Sequence, residues 1–255
     1  MSLLDVDGIS IHFGGVQALG GVSLEVHRGE IVGLIGPNGA GKTTFFNCVT
    51  GVLKPDSGSI RFDGHDLLPL PTHARAHLGI SRTFQNLQLF GGMTVLENLM
   101  VAMDAFSHRG MLADAFRLPT ARFEERRAQE HAWAILHFLG LKDRAGALAA
   151  DLAVGHQRRL ELGRALMSRP RLLLLDEPAA GLDNKETADL AGLLLRIRER
   201  FAVTMLLVDH DMALVMRVCD NIYVLDFGEL LTSGTPSSVR QDPEVIRAYL
   251  GEGVA

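Results

Sequence analysis

The stretch Glu30–Leu53, EIVGLIGPNGAGKTTFFNCVTGVL, decides how this chain is read. Its first part, Ile31–Ile35, is an apolar run that ends in glycine, the signature of a strand buried on both faces. Its last part, KTTFFNCVTGVL, reads as a helix. Between them GPNGAGKT fits the phosphate-cradling pattern G-x-x-x-x-G-K-[ST], in the strand-before, helix-after context that gives the pattern meaning. Glycines at Gly36, Gly39 and Gly41 let backbone N–H groups turn inward around phosphate oxygens. The helix N-terminus adds a favourable dipole. Lys42 is placed to reach the outer phosphates, and the Thr43 hydroxyl to bind Mg²⁺. The whole turn, Gly36, Pro37, Asn38, Gly39, Ala40, Gly41, Lys42, Thr43 and Thr44, is therefore the candidate nucleotide cradle.

Outward from this loop, apolar runs alternate with helical patterns, which argues for a largely parallel sheet. ISIHF and VSLEV alternate at strand period, and GSIRFDG reads as a strand leading into a turn. RLLLLDEP is a buried strand stopped by Pro178. NKETADLAGLLLRIRER is an amphipathic helix with Asn184 as its expected cap. AVTMLLVDH and NIYVLDFGEL complete the strands. From about Asn86 to Leu166 the pattern turns almost wholly helical, so a helical subdomain inserted into one α/β domain is expected.

Bulk properties narrow the field. The 255 residues are 47% apolar, enough for a full core, and the net charge of −5 lacks the basic footprint of a nucleic-acid binder. The two cysteines, Cys48 and Cys219, fit no CxxC or disulfide pattern and point to reduced thiols. The opening MSLLDVDGIS has no basic n-region or apolar run, so no signal peptide is expected. No apolar stretch approaches the ~20 residues of a membrane helix. If the protein works at a membrane, something else spans it.

LLLLDEP supplies acidic partners for the cradle. Asp176, ending an apolar strand, suits a Walker B aspartate that helps hold Mg²⁺. Beside it, Glu177 is a candidate base toward an attacking water, a role typically worth about 10²–10⁴-fold in rate.

With these pieces in place, the chain resembles the ATP-binding subunits of ABC transporters over its whole length, with the motifs in order. The resemblance implies a P-loop NTPase core with a mainly parallel sheet, an antiparallel β portion and the inserted helical subdomain. It implies ATP as substrate and Mg²⁺ as metal. RTFQN looks like the Q-loop, making Gln85 a contact to metal and water. LLVDHDM looks like the switch segment, with His210 on the γ-phosphate side. AAGLD looks like the D-loop, ending in Asp183. Phe13 in IHFGGVQAL looks like the adenine-stacking aromatic, with Val16 and Ala18 lining the base.

DLAVGHQRR looks like the signature motif, which in the family covers ATP held by a second subunit in a head-to-tail pair. Gly155 permits close backbone approach there. The usual LSGGQ is altered: Ala153 replaces the serine, Val154 a glycine and His156 the glutamine. Losing the hydroxyl removes a hydrogen bond worth about 1.5–3 kcal/mol to a charged group. The expectation is that Gly155 and the helix dipole suffice. Arg158 and Arg159 are expected on a solvated or dimer-edge face.

Several stretches resemble one branch, the branched-chain amino acid importers of bacteria: FGGVQAL, SRTFQNLQLFGGMTVLENLMVA, LDEPAAGLDNKET and PEVIRAYLGEG. The helical stretch between Met103 and Arg122 also resembles that branch. The implied partners are a second ATPase subunit, identical or a sibling, two membrane-spanning permease subunits and, indirectly, a periplasmic solute-binding protein. The implied place is the cytoplasmic face of the inner membrane. Leu87, Leu89, Phe90 and Met93 are either a docking patch for the membrane subunit or part of the subdomain's core. Related importers for urea, amides or aromatic acids look much alike. A soluble ABC ATPase outside transport, or a P-loop kinase or regulator, is the more distant alternative. Phe123–Leu139 is too short for the long coiled coil of repair-type ATPases.

Overall fold

A computed structural model of the chain describes residues 2–85, 87–104 and 119–250. These form two compact units, one of residues 1–85 and 171–255, the other Asn86–Pro170.

In the first unit the described residues build two sheets. The smaller sheet holds β1 (Ser2–Phe13), β2 (Val16–His27), β4 (Ser57–Phe62) and β5 (His65–Asp66) in the order β2-β1-β4-β5, all antiparallel. The larger sheet runs β10-β9-β3-β8-β7-β6. Its members are β3 (Ile31–Ile35), β6 (Ile80–Arg82), β7 (Leu172–Asp176), β8 (Thr204–Val208), β9 (Asn221–Asp226) and β10 (Glu229–Gly234). All pair in parallel except β10, which returns antiparallel on β9. Strands β3, β7 and β8 are buried at every residue, as continuous apolar runs in a covered parallel sheet must be. Phe45, Phe46, Ile60 and Phe62 meet Leu34 of β3 and Leu172 and Leu174 of β7 in one apolar cluster, so the loop after β3 is anchored on well-packed material.

Strands β1 and β2 run well beyond ISIHF and VSLEV. Their pairing shifts register between Val6 and Ile9 and again between Ile9 and Ile11. Such bulges break the two-residue alternation, which hides one long strand as a short one. Helix α1 (Lys42–Thr50) stops before the expected Val52–Leu53 because Gly51 takes a left-handed conformation and closes it, its N–H bonded back to the Cys48 carbonyl oxygen. The guanidinium of Arg75, on α2 (Thr72–His77), also bonds the Cys48 and Val49 carbonyl oxygens.

The second unit is helical in its described residues: α3 (Val95–Asp104), α4 (Pro119–Leu139) and α5 (Val154–Met167), with short 3-10 turns at Lys142–Arg144 and Ala149–Asp151. Most of the Met103–Arg122 stretch, residues 105–118, lies outside the described residues. No helix among the described residues is long and apolar enough to cross a membrane.

Candidate functional site

The cradle starts where β3 leaves the larger sheet. Gly36 sits at φ +151, and a Cβ there would collide with the Leu225 carbonyl oxygen of β9. Gly41 sits at φ +99, with its hypothetical Cβ 2.6 Å from the Ala18 carbonyl oxygen. The loop is thus threaded between β9 and β2 at positions only glycine fills. The β9–β10 turn stitches it in place: Gly228 N–H donates to Ala40 O (3.2 Å), and Gly228 O accepts from Gly20 N–H (2.8 Å). Lys42 is the first residue of α1 and is 7% exposed. Its ammonium donates to Gly36 O (2.6 Å) and Pro37 O (2.7 Å), so the cation is held at the rim of the loop by the loop's own carbonyls. Pro37 and Ala40 are buried, Asn38, Gly39 and Thr43 exposed, and Thr44 half-buried. At the end of the β1–β2 hairpin Phe13 pairs in register with Val16. They are 50% and 69% exposed, an apolar pair open to a flat partner, while Ala18 is half-buried.

The acidic side of the site stands at the end of β7. Asp176 is buried, and Glu177 follows at φ +48, unusual for a residue with a side chain. Its N–H donates to Val208 O (2.7 Å), which fixes this left-handed exit. The bend aims the Glu177 side chain at two other expected residues. Glu177 Oε2 accepts from Gln85 Nε2 at 2.9 Å, and Oε1 lies 3.1 Å from His210 Nε2. A carboxylate can only accept, so this contact selects the His210 form that carries a proton on Nε2. Strain of this kind collects at functional sites. An acceptor, an amide and an imidazole converging on one point can orient and deprotonate a water.

Neighbouring loops are pinned by carboxylates. Asp209 is buried and accepts from Ala179 N–H (2.9 Å) and Asp211 N–H (2.8 Å), and burial pushes its carboxyl above the usual carboxylate range. Asp211 caps α7 (Met212–Val218). Asp183 caps α6 (Asn184–Phe201) in a full capping box with Glu186, so its carboxylate is engaged locally. The expected cap, Asn184, is the first helical residue instead. Both residues are good caps by type, and Glu186 three positions after Asp183 decides between them.

The donor set suits a hard divalent cation of the Mg²⁺ type. Such an ion takes one or two carboxylates plus phosphate and water. Asp176 offers one carboxylate whose Oδ1 accepts no hydrogen bond among the described residues, while Oδ2 is held by Arg82. No group of three or more acidic, histidine or cysteine side chains that could form an all-protein cage occurs among the described residues.

In the second unit, Ala153 is the N-cap of α5 and gives no side-chain cap. Gly155 is half-buried, and Gln157 Nε2 donates to Ala149 O (3.1 Å). The uncapped end makes a prediction: Ala153→Ser should stabilise the chain by about 1 kcal/mol, read as a raised urea midpoint. Arg158 corrects the expectation of a solvated or dimer-edge face. It is buried and paired with Glu161 (3.2 Å), since the α5 face bearing Leu162 and Leu166 also carries this pair inward. Arg159 is half-buried.

Of the candidate docking residues, Phe90 (44%) and Met93 (36%) are exposed, and Leu87 and Leu89 half-buried. Asn98 shapes that loop and was not singled out by motif. Fully buried, it accepts from Phe90 N–H (2.9 Å) and donates to Phe90 O (3.0 Å) and Thr94 O (3.0 Å). A lone asparagine among the apolar residues of VLENLMVA was the available signal. Arg82, which reaches Asp176 at 2.6 Å, was also missed.

The chain is similar to known proteins. Residues 19–180 match the family model described as ABC transporter, and residues 229–255 match one described as branched-chain amino acid ATP-binding cassette transporter. The chain is 49% identical to the high-affinity branched-chain amino acid transport ATP-binding protein BraF of Pseudomonas aeruginosa, over 98% of each chain. It is 46% identical to LivG, of the same description, from Escherichia coli K12, again over 98% of each. Among solved structures it is similar to MJ1267, an ATP-binding cassette of an ABC transporter in its ADP conformation, with TM-score 0.86 and 34% identity over 98% of this chain and 99% of that one. The fold class expected from the sequence, an ABC-type P-loop core, is the one found. By both the matched span and the full-length identity, the chain belongs to the ABC transporter family as one of its ATP-binding proteins.

Proposed function

We propose that this chain hydrolyses ATP to drive import of branched-chain amino acids, as one of two ATPase subunits working against two permease subunits at the cytoplasmic face of the inner membrane. A periplasmic solute-binding protein would deliver the solute. The observation that carries the hydrolytic reading is the convergence of Gln85 and His210 on Glu177, one residue beyond Asp176. The solute reading is supported by the relatives' full-length identity and by the C-terminal match at residues 229–255.

In this reading Phe13 stacks on adenine, with Val16 and Ala18 beside it. Backbone N–H groups of the Gly36–Thr44 turn other than Pro37, together with the Lys42 ammonium, hold the phosphates. Thr43, Asp176 and Gln85 hold Mg²⁺, which supplies charge neutralisation at the phosphates when bound. Glu177 takes the proton of the attacking water, and His210 fixes the Glu177 carboxylate from its second oxygen. Ala153 and Gly155 of each subunit close over the nucleotide of the other, and Asp183 lies at that junction. Phe90 and Met93 receive the permease.

The test is the complex purified with its membrane neighbours and binding protein in vesicles. Leucine, isoleucine or valine should raise its ATPase rate. Stimulation by urea, a short amide or an aromatic acid alone would move the assignment to a sister importer. Full activity from a monomer too dilute to pair would refute the shared-site reading.

A further inference from the structure

Arg82 ends β6 three residues before Gln85 and is held from several sides. Its Nη2 donates to Asp176 Oδ2 at 2.6 Å, and its Nη1 to Asn47 Oδ1 at 2.7 Å. Its Cζ lies 5.4 Å from the Phe46 ring centroid and 5.2 Å from that of Phe84. The Arg82 side chain is 8% exposed and that of Asp176 7%. Nε is buried without an acceptor among the described residues.

We propose that Arg82 is a positioning residue for the divalent cation: it fixes Asp176 through one oxygen, ties that carboxylate to the P-loop helix through Asn47, and so sets the site's metal affinity. This rests on the reading of Asp176 as a metal carboxylate.

A guanidinium placed only to neutralise a carboxylate tends to bind it with both arms. Arg82 gives Asp176 one arm, leaves Oδ1 without a hydrogen bond among the described residues, and spends the other arm on a neutral amide. It does so while leaving Nε unsatisfied, an arrangement that costs stability. Asn47 stands one helical turn after Thr43 on α1, hence on the same face. The fork therefore ties the Asp176 carboxylate to the helix that carries Thr43, the other protein group read as flanking the cation. Flanking rings hold the guanidinium plane and remove its freedom to swing. Mg²⁺ tolerates little departure from octahedral geometry, so a carboxylate free to rotate would bind it poorly. Lysine at this position keeps the charge but lacks the planar fork that reaches both partners.

The test uses the full-length chain saturated with ADP and titrated with Mn²⁺, free Mn²⁺ being read by electron paramagnetic resonance. Arg82→Met should weaken Mn²⁺ binding by about 10-fold or more, the usual effect of removing an outer-shell partner. ADP affinity in EDTA should stay at the wild-type value. Arg82→Lys and Asn47→Ala should each show a smaller loss of the same kind. A folded Arg82→Met chain with wild-type Mn²⁺ affinity, or one that loses ADP in EDTA as strongly as it loses Mn²⁺, overturns the proposal. If that variant does not fold, wild-type Mn²⁺ affinity in both milder variants overturns it. Asp176→Asn separates the two readings. If it leaves Mn²⁺ affinity unchanged, the metal reading of Asp176 fails and this proposal with it. If it abolishes binding while the Arg82 variants bind normally, only the role of Arg82 fails.

Discussion

Glu177→Gln is expected to lower steady-state phosphate release by about 10²–10⁴-fold while nucleotide binding persists. The substitution keeps the size of the side chain and the strand exit. That exit is set by the backbone bond from Glu177 N–H to Val208 O, which glutamine keeps. Its amide oxygen still accepts from Gln85 Nε2, and its amide nitrogen can donate to His210 Nε2 once the imidazole moves its proton to Nδ1. Packing and hydrogen-bond count are thus preserved, and only proton acceptance is lost. Radiolabelled ATP binding and phosphate release on one preparation decide the matter. The ATP-driven pairing of subunits proposed above should survive in the variant, because the γ-phosphate is removed far more slowly. Wild-type turnover would refute Glu177 as the base. A parallel loss of ATP binding would move Glu177 from chemistry to binding.

What the sequence made legible follows the reach of each signal. The strand–loop–helix backbone around Gly36–Gly41 was readable because its signal is local: loop, strand end and helix start lie within one short run, and the glycines answer to positive φ there. The fully buried strands β3, β7 and β8 were readable for the same reason. Strands β1 and β2 were read short because bulges reverse which face each residue meets. Arg158 was misread because a charged residue at helical spacing looks solvated until its partner, Glu161, is seen to share its burial. Arg82 lay hidden for a different reason. Its partners are Asn47 and Asp176, far apart in sequence, and no periodicity announces a pairing across 94 positions. The convergence of Gln85, Glu177 and His210 is equally non-local; order along the chain suggested it only through family resemblance. The left-handed conformation of Glu177 had no sequence signal at all.

Gly36→Ala should be the most damaging single methyl in the cradle. Gly36 holds φ +151, a conformation L side chains rarely adopt, and the new Cβ would strike the Leu225 carbonyl oxygen. That oxygen cannot retreat cheaply. Leu225 is paired with Leu230 in the β9–β10 ladder, and its side chain is part of the buried cluster. The Ala40 side chain also lies 3.1 Å from the added atom, so relief toward the loop is closed as well. Backbone strain and overpacking each cost about 1–3 kcal/mol, so a combined loss of roughly 4 kcal/mol is expected. At about 2–4 °C per kcal/mol for a chain of this size, the melting midpoint should fall by roughly 10 °C. Nucleotide affinity should fall with it, because the Gly36 carbonyl is one of the two that hold Lys42. Gly39→Ala is the matched control. Its φ is +80 but none of the described residues lies within 4 Å of the new Cβ, so strain acts without collision and a loss of about 1 kcal/mol is expected. Differential scanning fluorimetry with and without ATP separates the two. Equal melting points for both variants would show that the collision is relieved, and that the tight threading of the loop between β9 and β2 does not govern its stability.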